Sequence, residues 1–162
     1  MVAVSPLPKH LRPRWRYLGV AVQSWPDVHI SRSRFQEGVE TAARALLGDA
    51  TAAQLGLRLY EYRFDRGVGE AVIRTRRGTV DQARAALACL TELDGAPLGV
   101  RVRGVSGTVR GCEESYLGRR PESSGESTVV FAGTERPAVR RGDEVEVRMG
   151  DGFVGATTLD LE

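Results

Sequence analysis

Arginine is the residue whose placement in this 162-residue chain could do chemistry. Arg12, Arg14 and Arg16 lead into the first predicted strand, Arg74, Arg76 and Arg77 leave the third, and Arg110 follows the fourth. A guanidinium fork presents paired N–H donors at the spacing of phosphate oxygens, so such groups suit a polyanion. Lys9 joins the first group, and no acid precedes Asp27. Trp15, set among these cations, offers a ring for a base or a protein partner; without function, the segment is a solvated basic leader. In Ile73-Arg74-Thr75-Arg76-Arg77-Gly78 the arginines sit just ahead of a predicted helix, whose N-terminal dipole also favours an anion; the plain alternative is a solvated turn. Ser106-Gly107-Thr108 places a glycine between two hydroxyls, which frees backbone N–H groups for an anion beside Arg110. Hydroxyl–glycine turns of this kind are common.

Tyr60, Tyr62 and Phe64 alternate along the second strand, opposite Leu55, Leu57 and Leu59. With the leucines against helices, the aromatic residues would line the open sheet face, as a base-stacking platform or a protein interface. The third strand, Val68 to Thr75, has no aromatic residue, which favours the protein interface. Little else suggests protein-borne chemistry. His10 and His29 are isolated, Cys89 lies in an apolar helix pattern, Cys112 has no spaced partner, and Glu113-Glu114 reads as a surface turn. Gly67-Val68-Gly69 starts a strand and is no phosphate loop. No nucleophile, base and orienter come together, and no cofactor or metal is expected on the protein itself.

The elements that must position these residues are strongly patterned. Arg16 to Gln23 reads as a strand. A helix opens at Ser33, with Gln36 completing a capping box and Gly48 ending it. Strands over Leu55–Phe64 and Val68–Thr75 are joined by the hairpin loop Asp65-Arg66-Gly67. Thr79 with Gln82 repeats the capping pattern for a second helix stopping near Gly95, and Gly99 to Val105 is a fourth strand. This order predicts an α+β, RNA-recognition-like split β-α-β sandwich: a four-stranded antiparallel sheet with two helices on one face. In that order the first and third strands are central neighbours, so the two arginine groups meet at one edge.

Residues 1–15 form a basic N-terminal arm, 16–118 the α/β domain and 119–126 a linker, followed by an acidic β-rich extension over 127–162. The extension holds three predicted short strands, Ser127–Ala132, Glu144–Met149 and Phe153–Leu161. Residues 1–120 carry 19 basic and 12 acidic groups; residues 121–162 carry 4 and 9. A basic body with an acidic tail favours a polyanionic partner for the body. Lys9 is the only lysine, asparagine is absent, and Ile30 and Ile73 are the only isoleucines, so part of the arginine count reflects a GC-rich genome. Two cysteines exclude a disulfide framework, and no apolar run approaches membrane-spanning length, so the expectation is a cytoplasmic protein without membrane partners.

Several segments in order resemble the archaeal ribonuclease P protein component 2 family, related to a protein subunit of eukaryotic RNase P and MRP. They are Arg14-Trp15-Arg16-Tyr17-Leu18, Leu47-Gly48-Asp49, Ile73-Arg74-Thr75, the helix residues Asp81 and Ala83 to Ala88, Val105 to Arg110, Cys112 and Tyr116-Leu117. The resemblance implies a non-catalytic subunit of the ribonucleoprotein endonuclease that removes the 5′ leader of precursor tRNA. Its partners would be the RNase P RNA, protein component 3 and other protein subunits, with magnesium on the RNA subunit. The acidic segment from Pro121 departs from the family pattern. RNA contacts are expected at Lys9, Arg12, Arg14, Trp15, Arg16, Arg74, Arg76, Arg77, Ser106, Thr108 and Arg110, and a protein interface at Tyr60, Tyr62 and Phe64. The rival from another class is a small-molecule-binding or acyl-phosphate-hydrolysing enzyme on the same ferredoxin-like topology, which would want a side-chain amide beside its arginine. A homo-oligomeric structural protein using the open sheet face is the other rival.

Overall fold

Strand β1 (Trp15–Gln23) runs through the centre of the main sheet. Its alternation explains why: Leu18, Val20 and Val22 turn to one side and are fully buried, while Gly19 and Ala21 turn to the other. The computed structural model describes residues 6–118, 125–141, 144–150, 152–157 and 159–161. The start of the expected basic arm (1–5) and most of the expected linker (119–124) lie outside them.

After β1 come α1 (Arg32–Leu47), α2 (Asp49–Leu55), β2 (Arg58–Asp65), β3 (Val68–Arg76), α3 (Val80–Ala88), the two-residue strands β4 (Glu92–Leu93) and β5 (Ala96–Pro97), β6 (Gly99–Ser106) and α4 (Val109–Tyr116). The main sheet has the order β2-β3-β1-β6, every pairing antiparallel. Phe35 and Val39 of α1 and Ala83 and Leu87 of α3 close over Leu18, Val20 and Ile73 on one face. Each such large apolar side chain contributes roughly 1.5–3 kcal/mol by leaving water. Between β2 and β3, Arg66 and Gly67 both have positive φ (48° and 73°), the twist that suits a tight hairpin.

Four local expectations need correction. Helix α1 is capped by Ser31, whose hydroxyl accepts from the Arg34 N–H at 3.3 Å, and not by Ser33. Strand β2 begins at Arg58, because Gly48 starts a second short helix and Gly56 (φ 59°) ends it. The second expected helix ends at Ala88, and a small hairpin follows, turning at Asp94 and Gly95. Glu113 and Glu114 lie in helix α4 and not in a turn. Helix α4 packs on the sheet face opposite α1 and α3, so that face is partly covered. A Cβ on Gly19 would fall 2.6 Å from the Tyr116 Cβ, and one on Gly104 would fall 2.2 Å from its ring.

The C-terminal segment is a second antiparallel sheet of four strands where three were expected: β7 (Gly125–Phe131), β8 (Thr134–Arg141), β9 (Glu144–Met149) and β10 (Gly152–Ala156), in the order β10-β9-β8-β7. Val145 and Val147 point into its small core with Ala138 and Ala156. It docks on the loop after β1. Phe153 lies 4.7 Å from the buried Trp25 ring, Arg148 lies 4.9 Å from it, and Arg141 Nη2 donates to the Ser24 carbonyl at 2.8 Å. Among the described residues no helix is long and apolar enough to cross a membrane.

Candidate nucleic-acid interface

Antiparallel pairing sets Trp15 opposite Arg76 and Tyr17 opposite Arg74. All four alternate with core residues and therefore share the sheet face away from α1 and α3. On β2 the register shifts between Leu59 and Glu61; Tyr60, at this bulge, shares the same face, where its ring meets Tyr17 edge-on at 5.5 Å. The result is an alternating ladder of cations and rings. The Arg74 guanidinium lies 3.7 Å from the Trp15 ring centroid and 5.6 Å from that of Tyr60. Arg76 flanks Trp15 at 5.8 Å and Arg58 flanks Tyr60 at 6.0 Å. Arg74 Nη1 also donates to the Tyr60 hydroxyl at 3.3 Å. The far edge of Trp15 abuts Gly56, where a Cβ would come within 2.8 Å of the ring.

Among the described residues no carboxylate pairs with Arg58, Arg74 or Arg76, whereas Arg34, Arg44, Arg103, Arg110 and Arg141 each have one. Rings hold these guanidiniums by cation–π attraction, worth about 0.5–2 kcal/mol each, without neutralising them. Such charges remain available to an external anion.

The other residues singled out from sequence are placed around this ladder. The Arg77 N–H donates to the Arg14 carbonyl at 2.8 Å, which ties the basic arm to the end of β3. Lys9 lies in a single 3-10 turn, and Arg12 Nε donates to the Leu7 carbonyl at 2.8 Å. Arg16 points to the other face, is half-buried, and its Nη1 donates to the Trp15 carbonyl. Ser106 pairs with Tyr17, so the Ser106-Gly107-Thr108 turn reaches the same edge. Thr108 caps α4, its Oγ1 accepting from the Gly111 N–H at 3.0 Å, and Ser106 Oγ accepts from the Thr108 N–H at 3.4 Å within the turn. Arg110 is exposed and paired with Glu114.

The aromatic stripe is not continuous. After the Tyr60 bulge, Tyr62 and Phe64 turn toward the helices: Tyr62 stacks on Phe35 at 5.1 Å and donates its hydroxyl to the Ile30 carbonyl at 2.8 Å, and Phe64 stacks beyond it at 6.3 Å. Burial pushes the Tyr62 hydroxyl pKa well up. Sequence reasoning passed over Tyr17 and Arg58. Tyr17 was findable, because it lies two residues beyond Trp15 on a strand; Arg58 was not, because its face depends on where β2 starts.

On the same sheet face as the ladder, α4 is fastened by buried chemistry. Glu70, 6% exposed, accepts from Arg103 with one oxygen and from the Gly118 N–H at 2.9 Å with the other, and Arg103 Nη1 also donates to the Tyr116 carbonyl at 2.9 Å. Cys112 faces inward from α4, and burial, with Glu113 nearby, raises its thiol pKa to about 11. Among the described residues no three His, Cys, Asp or Glu side chains gather as a metal site.

Ribonuclease P protein component 2 of Natronomonas pharaonis is 57% identical to this chain over 155 residues, covering 96% of both chains. The protein of that name from Methanosarcina mazei is 35% identical over 107 residues, covering 66% of this chain and 87% of its own. A chain in the cryo-EM structure of yeast ribonuclease MRP superposes with a TM-score of 0.47 at 18% identity, covering 62% of this chain and 79% of that one. The first alignment leaves only a few residues of this chain uncovered, so it includes nearly all of the acidic extension, which is shared with that relative and not peculiar to this chain. The family model described as Rpp14/Pop5 matches residues 16–117, from the second residue of β1 to just past α4, and the chain belongs to that family.

Proposed function

We propose that this chain is an RNA-binding protein subunit of ribonuclease P, the particle that removes the 5′ leader of precursor tRNA. It supports the catalytic RNA and supplies no catalytic residue of its own; magnesium acts on the RNA. The observation that carries this reading is the ladder Arg76–Trp15–Arg74–Tyr60–Arg58, a file of guanidiniums without paired carboxylates among the described residues, on a member of the Rpp14/Pop5 family. Cations so placed offset phosphate repulsion as a folded RNA compacts. The strand order β2-β3-β1-β6 with α1 and α3 on one face supports reading the body as an RNA-recognition-like split β-α-β unit. Protein component 3 and other RNase P protein subunits would be its partners in the cytoplasm.

The test is reconstitution of the chain with RNase P RNA, the other protein subunits and labelled precursor tRNA. Adding the chain lowers the magnesium concentration needed for leader removal. A particle equally active at every magnesium concentration without the chain would overturn the proposal.

A further inference from the structure

Beside the ladder, between the first turn of α1 and strands β2 and β3, lies a notch of about 560 Å³. Arg32, Arg58 and Arg74 line it, together with Ser33 and Gln36. Glu40 is the one carboxylate lining it among the described residues, and that group is already engaged by Arg44 at 3.6 Å and by the Gln36 amide. Arg32 is held in place, its Nη2 donating to the carbonyls of Leu59 and Tyr60 at 2.8 and 2.9 Å, and Gln36 Oε1 accepts from the Leu59 N–H at 2.7 Å. Three guanidiniums thus surround a concave space without a free carboxylate to answer them. Arg74 belongs both to this wall and to the ladder, and its Nε is buried without a partner.

We infer that the notch seats a backbone phosphate of paired RNA, with Arg58 and Arg74 as its contacts and Arg32 fixing the wall. The inference rests on the RNA-binding reading above and adds a site to it. It also assigns Trp15 a different task from base stacking. One face of its ring carries the Arg74 guanidinium at 3.7 Å and its far edge meets Gly56, so a base on that face would have to displace the cation. Trp15 and Tyr60 are positioning residues that hold Arg74 toward phosphate. Recognition through phosphate alone is independent of sequence.

The experiment uses the full chain and two blunt RNA hairpins of unrelated sequence, with affinity measured across a salt series. Arg58→Gln weakens both hairpins several-fold and equally, and makes the plot of log affinity against log salt shallower by about 0.9, the share of one duplex phosphate. Trp15→Phe, which keeps a ring beside the cation, loses less affinity than Trp15→Ala. Trp15→Ala loses affinity, and adding it to a variant that lacks both Arg74 and Arg76 loses no more, because the ring acts through those two cations. Circular dichroism of each variant checks that it is folded. A further loss on adding Trp15→Ala to the variant lacking both Arg74 and Arg76 would put a base on the ring and overturn the positioning role. An unchanged Arg58→Gln, beside a combined Arg74, Arg76 and Arg77 to alanine variant that does lose affinity, would overturn the notch and leave the RNA reading standing. If that combined variant also bound normally, the RNA reading itself would fail.

Discussion

The Arg74 guanidinium lies over the Trp15 ring, 3.7 Å from its centroid, although the two residues are 59 positions apart in the chain. The antiparallel pairing of β1 with β3 makes the contact: Trp15 faces Arg76 directly and Arg74 diagonally. One strand supplies rings, the other cations, and a file of charge results that neither segment could build alone.

Replacing Arg74, Arg76 and Arg77 with alanine should weaken binding by a similar factor for any RNA sequence and flatten its salt dependence. Cleavage by the reconstituted particle falls at low magnesium and recovers at high magnesium, because added cations replace lost phosphate neutralisation. Activity lost without any change in RNA affinity, and without magnesium rescue, would mean that the arginines take part in the chemistry.

The three aromatic residues of β2 should separate by face. Tyr62→Ser removes packing on Phe35 and Phe64→Ser removes packing on Tyr62; both residues are half-buried, and each loss destabilises the fold by about 2 kcal/mol. Tyr60→Ser leaves the melting temperature nearly unchanged and lowers RNA affinity. Equal effects on stability from all three would contradict the bulge.

Glu70→Ala strips the carboxylate from Arg103 and the acceptor from the Gly118 N–H. Breaking such a pair by removing one partner costs about 3–5 kcal/mol. Urea unfolding should show a lower midpoint with little change in slope.

The two cysteines should differ in reactivity. Cys89 is exposed and reacts with iodoacetamide in the native protein, while Cys112 reacts only after unfolding. The Cys112 pKa is raised from 9.0 to about 11, so between those pH values the unfolded chain releases the proton first. Stability therefore falls as pH rises from about 9, with Tyr62 adding a loss of the same sign at higher pH. Cys112→Ala removes its part of that slope, read from urea midpoints at successive pH values.

Deleting residues 121–162 should uncover Trp25, which is only 3% exposed beneath Phe153 and Arg148, and shift its fluorescence to the red. RNA affinity should hold steady. Trp25 follows the far end of β1, about 26 Å of strand from Trp15 and several times the ~8 Å screening length at physiological salt. A clear loss of affinity would place RNA contacts on the extension.

Local pattern in the sequence determined the main strands, the first and third helices, the antiparallel order of the body and the convergence of Arg14 with Arg77 at one sheet edge. Strand alternation and helical spacing repeat every few residues, and the order of elements limits how a sheet can be laid out. The family resemblance read from those segments was legible for the same reason. Tertiary structure alone decided two features of the site. The bulge at Tyr60 reverses which side chains face the core, because a one-residue register shift turns every later residue over, so Tyr62 and Phe64 pack against the core while Tyr60 stays beside Arg74. Helix α4 has only eight residues, too few to be stable by itself, and it exists because Tyr116 seats on the bare glycines Gly19 and Gly104 and Cys112 is buried beneath it.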